Sequence, residues 1–271
     1  AVAVELDLIV RAIETDRRNL ALASERFQST HAVFVRNRDV PDIYDCNHVC
    51  NVTASTPSEI DAFFEQMETE FAGFGHRRIE VDFRTPPALV ARLALDGYKR
   101  DDALLFVLAG DLSGPAPIAH EIRPLESEAD WSAYAALHEL DWREYSERQN
   151  RKEPPDVGRQ MIRAHRGRQP PVQYFLAYVD GNAVAYFNSW AGIDGVGQVE
   201  DLFTHPKYRN RGLARALIHH CVRDARAKGA GPVVIAADPN DTPKRIYAGM
   251  AFRPVAVLSH YTRKLHADTQ R

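Results

Sequence analysis

The chain has 271 residues, 45% of them hydrophobic and 26% charged, with 34 Lys plus Arg against 37 Asp plus Glu for a formal charge of -3. This composition excludes disordered, collagen-like and fibrous classes, and at roughly 150 residues per domain the length suggests about two domains, each able to bury a core without disulfides or structural metal. No apolar run approaches the ~18 residues needed to span a bilayer, and acids interrupt the first 20 residues, so a soluble, cytoplasmic protein without membrane contact is expected. The near balance of charge argues against a nucleic-acid partner, because neutralising phosphates takes a basic surface. Cys46, Cys50 and Cys221 are odd in number and read as reduced thiols. Cys46, His48 and Cys50 alternate and would share a strand face, but a tetrahedral zinc site wants a fourth ligand, so no metal is expected.

In chain order, the first half opens with a helix from Val4 to Arg26, followed by a strand through Cys46, His48 and Cys50 and a helix from Pro57 to Phe71. A strand then ends at Asp82, Thr85-Pro86 opens another helix, and Ala103 to Leu108 reads as a strand. Gly110 to Pro117 concentrates Gly, Pro and Ser and reads as a linker. The second half begins with a strand near His120 to Pro124, a helix capped by Ser127 through Trp131, Tyr134 and Leu137, and another helix near Pro155 to His165. Gln173 to Val179, Ala183 to Trp190 and Gln198 to Thr204 form three antiparallel strands, joined by turns at Asp180-Gly181 and Asp194-Gly195. From Gly212 the period becomes helical through Leu213, Leu217, Ile218, Cys221 and Ala225, with Gly229 as the stop. Val233 to Ala237 is a strand, Thr242 caps a helix with Pro243 in its first turn, and Val255 to Tyr261 closes the sheet.

Two stretches correspond internally. Ala72 to Asp82 aligns without a gap on Lys228 to Asp238, and each leads from a helix into a strand ending in Asp. Each is followed by Thr-Pro, a helix, an aromatic (Tyr98 or Phe252) and a final strand, so the chain reads as two related α/β halves.

Arg209-Asn210-Arg211-Gly212-Leu213-Ala214 carries the strongest chemical signal. It lies between a strand and a long amphipathic helix, where unpaired amides and the helix dipole favour an anion by about 0.3 to 2 kcal/mol. Gly212 and Ala214 let phosphate oxygens approach the backbone, and Arg209 with Arg211 adds charge. No Gly-Lys-Ser/Thr follows and the third spaced Gly of a dinucleotide fingerprint is absent. The plainer reading is a glycine that starts a helix beside solvated arginines.

The segment resembles the Arg/Gln-x-x-Gly-x-Gly/Ala motif of the GNAT superfamily of acyl-CoA-dependent N-acyltransferases. A second segment at the expected distance, Asn240 to Phe252 with Ile246-Tyr247 and Phe252, resembles that family's Asn, aliphatic-Tyr and Gly-Phe pattern, with Pro243 and Ala251 as departures. The resemblance covers about residues 118 to 265 and implies the GNAT-like mixed, mostly antiparallel α/β sheet flanked by helices, in two related halves: residues 1–114 degenerate and non-catalytic, residues 115–271 catalytic. It implies acetyl-CoA as co-substrate. Leu202, Phe203 and Thr204 would supply strand backbone to pantetheine; Arg209, Asn210, Arg211, Gly212, Leu213, Ala214 and Arg215 would cradle the pyrophosphate; Asn240 and Tyr247 would face the pantetheine side.

Tyr247 would protonate the leaving thiolate, and Glu200 of Glu200-Asp201 would act as base through water. Neighbouring strand residues point to opposite faces, so only one of the two carboxylates reaches the site unless a bulge intervenes. Glu139, Trp142 and Tyr145, with Asp201, would face the acceptor, acids beside aromatics suiting a cationic amine; the same acids also fit a solvated helix face. In the first half, Leu93 stands five residues before Tyr98 where Tyr247 stands five before Phe252, so the acid is missing there. That half is expected to wall the acceptor site. The reading is therefore an N-acetyltransferase acting on a primary amine of a small molecule, with a CoA-binding sensor or a protein acetyltransferase as alternatives and a homodimer compatible with either.

Overall fold

The computed structural model describes residues 5–265 except 151 and 153. Its first half contains α1 (Leu6–Ala21), β1 (Glu25–Gln28), β2 (Val33–Arg36), β3 (His48–Cys50), α2 (Pro57–Glu70), β4 (His76–Val81), α3 (Pro87–Leu95) and β5 (Lys99–Leu108). The second contains β6 (Glu121–Pro124), α4 (Glu128–Gln149), α5 (Val157–Arg168), β7 (Gln173–Val179), β8 (Asn182–Ile193), β9 (Val196–Thr204), α6 (Leu213–Ala227), β10 (Val233–Ala237), α7 (Pro243–Gly249) and β11 (Arg253–Lys264). Local chemistry starts several of these. Ser127 and Asp130 close a capping box ahead of α4, and Thr56 with Glu59 does the same ahead of α2. The stripe of Leu213, Leu217, Ile218, Cys221 and Val222 on α6 is buried against Phe187, Val199, Val233 and Ile235, each large side chain contributing up to about 1.5 to 3 kcal/mol.

All strands join one mixed sheet in the order β1-β2-β3-β4-β11-β5-β10-β9-β8-β7-β6. Two junctions are parallel, β3 with β4 at Val49 and Ile79, and β10 with β9 at Val233/Gly197 and Val234/Gln198; the rest are antiparallel. The middle of the sheet is exchanged between halves. Strand β11 of the second half inserts between β4 and β5, and β5 of the first half inserts between β11 and β10. Each half thus covers a strand edge that the other would leave bare, and neither has a continuous sheet by itself.

Helix α1 is a second tie across the halves. Thr15 Oγ1 donates to the Val196 carbonyl at 3.2 Å, and Gln198 Nε2 donates to Asp16 Oδ1 at 2.8 Å. Arg17 pairs with Asp82 at 2.7 Å, both side chains buried, which fastens the helix to the end of β4.

The structure corrects several sequence expectations. Helix α1 ends at Ala21, not Arg26, because Glu25–Gln28 pairs with Val33–Arg36, with Phe27 stacked on Phe34 and Arg36 bonded to Glu25 at 2.9 Å; cross-strand pairing overrides the local helical pattern. Cys46 sits in a single 3-10 turn and only His48–Cys50 is strand, so the three residues do not share a strand face. Thr242 has helical backbone angles and its side chain caps nothing.

Candidate active site

Strands β9 and β10 pair only at their beginnings and then separate. Where the ladder stops, the Ala236 amide donates to Glu200 Oε1 at 2.7 Å instead of to backbone of β9. Gln198 Nε2 bonds the same oxygen at 3.1 Å and Asp16 at 2.8 Å. Glu200 Oε1 is thereby held by Ala236 and Gln198, and Gln198 in turn ties this carboxylate to Asp16 of the first half.

A bulge decides the direction of the next residue. Tyr186 faces Phe203 and Asn188 faces Glu200, so Phe187 opposes two residues, and Asp201 adopts a φ of 61°. Glu200 and Asp201 consequently line the same cavity rather than opposite faces. Asp201 accepts from Asn188 Nδ2 at 3.1 Å.

This cavity, about 370 Å³, draws its walls from both halves: Asp16, Asp45 and Arg78 from the first, and Glu200, Asp201 and Tyr247 from the second. Burial sets its titration. It raises Glu200 well above the ordinary carboxylate range, helped by Asp201 and Asp16, and it raises Asp201 as well. Burial lifts Asp16 and Asp141 to about 6 each and lowers His138 and His165 to about 3 each, so both imidazoles are neutral at physiological pH. Asp141 accepts from the Tyr186 hydroxyl at 2.6 Å, and His165 Nδ1 shares a hydrogen bond of 2.9 Å with the Tyr134 hydroxyl.

Tyr247 is 3% exposed and lines the cavity from α7, its ring set at an edge to Phe106 and tilted against Phe252. Burial, with Glu200 and Asp201 nearby, raises its phenol well above 10, so it stays protonated.

A groove of about 830 Å³ adjoins the cavity, the two sharing Asp141, Arg148, Leu202, Asp241 and Pro243. Leu202, Phe203, Thr204, Arg209, Asn210, Gly212, Leu213, Ala214 and Arg215 line the groove. Helix α6 begins here without a side-chain cap, behind Gly212 at a φ of 80°, so its first-turn amides are presented to the groove. Arg209 donates to the Thr204 carbonyl at 3.0 Å and pairs with Glu144 at 2.7 Å, while Arg148 pairs with Asp241 at 3.0 Å. These bonds tie α4 to the groove rim. The linker is packed beside the same corner: Arg215 Nη1 donates to the Ser113 and Pro115 carbonyls, His120 Nε2 donates to the Arg211 carbonyl, and Ile118 lies against Gly212.

Not every expected residue is brought in. Glu139 points to solvent and pairs with Arg143, outside the cavity that Trp142 and Tyr145 line. Arg211 stacks over Tyr208 and Asn240 has its amide held by Asp238; neither lines the groove or the cavity. A helix face and a turn each rotate those side chains away, which spacing alone does not reveal. Conversely, Asp16, Asp45, Arg78, His138, His165 and Arg168 line the cavity without a motif to mark them. Asp16 stands in the polar run Thr15-Asp16-Arg17, whose burial on α1 is visible only in the structure.

The strand order, the parallel junction that splays at Glu200 and the uncapped α6 define the GNAT fold. Residues 134–252 match the family model described as the acetyltransferase (GNAT) family. No curated protein sequence matches the chain. Among solved structures it is similar to a conserved protein of unknown function from Staphylococcus epidermidis (TM-score 0.68, 12% identity, 92% of this chain and 97% of that one). It is similar also to a GCN5-related N-acetyltransferase from Kribbella flavida (0.66, 17%, 93% and 95%). A tandem GNAT protein from the clavulanic acid biosynthesis pathway matches at 0.50, with 13% identity over 76% of this chain and 67% of that one. At these identities the likeness is one of fold.

Proposed function

We propose that the protein transfers the acetyl group of acetyl-CoA to a primary amine of a small molecule, with residues 115–271 catalytic and residues 1–114 a non-catalytic partner that completes the acceptor cavity. The observation that carries this reading is the continuity of a groove at the uncapped start of α6 with a buried cavity holding Glu200 and Tyr247. The groove's chemistry fits the co-substrate: free first-turn amides suit a pyrophosphate, and the edge of β9 that β10 leaves unpaired beyond Gln198 suits the amides of pantetheine.

In the transfer, the amine nitrogen forms a bond to the thioester carbonyl carbon as the carbon–sulfur bond breaks. An ammonium has no lone pair, so one of its protons first passes to the Glu200 carboxylate through water; as the carbon–sulfur bond breaks Tyr247 gives its phenolic proton to the departing sulfur, and the second proton that the nitrogen loses as the amide forms passes to the tyrosinate and restores the phenol. Among the described residues no cysteine or serine lines the cavity, which favours direct attack over an acetyl-enzyme. Its small volume of about 370 Å³, bounded by both halves, favours a small acceptor over a peptide. A thiol-release screen of amines, amino acids and peptides with acetyl-CoA tests the reading. Turnover of small amines with sequential kinetics is expected; a stable acetyl-enzyme formed from acetyl-CoA alone would overturn direct attack.

A further inference from the structure

The acetyl-transfer reading accounts for the acids of the cavity but leaves one basic residue without a role. Among the described residues three arginines line it. Arg78 is occupied by Glu80 at 2.8 Å, and Arg148 by Asp241 at 3.0 Å. Arg168, the last residue of α5, is only 5% exposed, and among the described residues it makes no salt bridge while its Nε has no hydrogen-bond partner. Tyr174, Cys46, Asp45 and Asp201 lie within electrostatic reach of it. The neighbouring imidazoles do not answer it, since His138 and His165 are neutral.

A guanidinium stays charged even when buried, and leaving it without a paired anion is costly. Its planar fork matches a carboxylate through two parallel hydrogen bonds. Asp16, Asp141, Glu200 and Asp201 line the same small space and suit an ammonium. We propose that the acceptor is a small amino acid, its carboxylate held by Arg168 and its amine turned toward Glu200 and Tyr247. Arg168 is then a specificity residue: it binds the substrate end that does not react. This rests on the acetyl-transfer reading for the fate of the amine, but not for the binding itself.

The test compares amino acids with the amines left by removing their carboxylate: lysine with cadaverine, ornithine with putrescine, histidine with histamine, tyrosine with tyramine. Thiol release from acetyl-CoA by the full chain gives kcat/KM for each member. At least one pair is expected to favour the amino acid by ~10- to 100-fold, the range of a charged hydrogen-bonded contact. In Arg168→Gln that ratio collapses toward one, chiefly through the KM of the amino acid, and Arg168→Lys restores part of it. An equal kcat/KM within every pair, or a ratio that Arg168→Gln leaves untouched, overturns the proposal; the latter is what a purely structural pairing of Arg168 with Asp45 or Asp201 would give. Should the variants fail to fold, the methyl ester of the preferred amino acid on the unaltered protein replaces them, with the same ~10- to 100-fold loss expected and no loss overturning the proposal. If no compound releases thiol, calorimetry on the CoA-saturated protein separates the two readings. Binding of an amino acid but not its amine upholds the carboxylate site while acetyl transfer fails; binding of neither member of any pair overturns the site.

Discussion

The two halves put the same helix in the same place in the sheet and finish its first turn in opposite ways. Helix α2 follows β3 and precedes β4, as α6 follows β9 and precedes β10, and each spans a parallel junction. At α2 the anion is built in: Glu59 accepts from the Ser55 and Thr56 amides, and those bonds lower its carboxyl to about 2. At α6 a glycine stands at the cap and no side chain closes the turn. The facing helices differ likewise, with fully buried Leu93 on α3 where α7 presents Tyr247. A helix and parallel junction shared by both halves therefore do not by themselves supply the chemistry proposed for the second. An amide cluster that has satisfied itself has nothing to offer a phosphate, and a leucine has no proton to give.

The comparison breaks most visibly at Tyr247. Tyr247→Phe should lower kcat ~10² to 10⁴-fold while CoA binding, read by calorimetry, stays nearly intact; unchanged turnover would remove the phenol as the acid. Glu200 sharpens it through pH. Burial raises this carboxyl, and only its deprotonated form accepts a proton, so kcat/KM should climb with pH along a limb lying above the usual carboxylate range. Glu200→Gln should erase that limb and lower kcat by about 10²-fold, whereas a limb surviving in the variant would assign it to another group.

Smaller effects test the helix ends. Arg215→Glu gives α6 a carboxylate at the position Glu59 holds in α2, and should weaken CoA binding ~10-fold by competing for the same amides; equal affinity would mean the pyrophosphate does not sit there. Thr56→Ala removes one side of the α2 capping box. It should cost about 1 kcal/mol in denaturant unfolding without altering CoA affinity, and a changed affinity would show that the first half takes part in binding the co-substrate.

The elements themselves were largely written in local pattern. Strands β7 and β10 fall where alternation and turn residues place them, α6 runs as its apolar stripe requires, and Ser127 caps α4. Such features depend on residues within a few positions of one another, which is why the sequence alone exposes them. The groove residues on β9 and α6 were equally legible, because a strand, a glycine turn and a helix follow each other directly along the chain.

The cavity is another matter. Its contents depend on a bulge that turns Asp201 to the side of Glu200, on α1 delivering Asp16 from the far end of the chain to Gln198, and on Arg168 arriving at the end of α5. The exchange of β5 and β11 was hidden too, since a strand's own residues state that it will pair and not with which neighbour. Backbone hydrogen bonding and alternation are properties of a segment, so sequence determined most of the segments that form the sheet, β1 and β2 excepted, and the place where α6 begins behind a glycine. Partner choice and the burial of isolated charges arise only when distant segments share one volume, and those the tertiary structure alone decided.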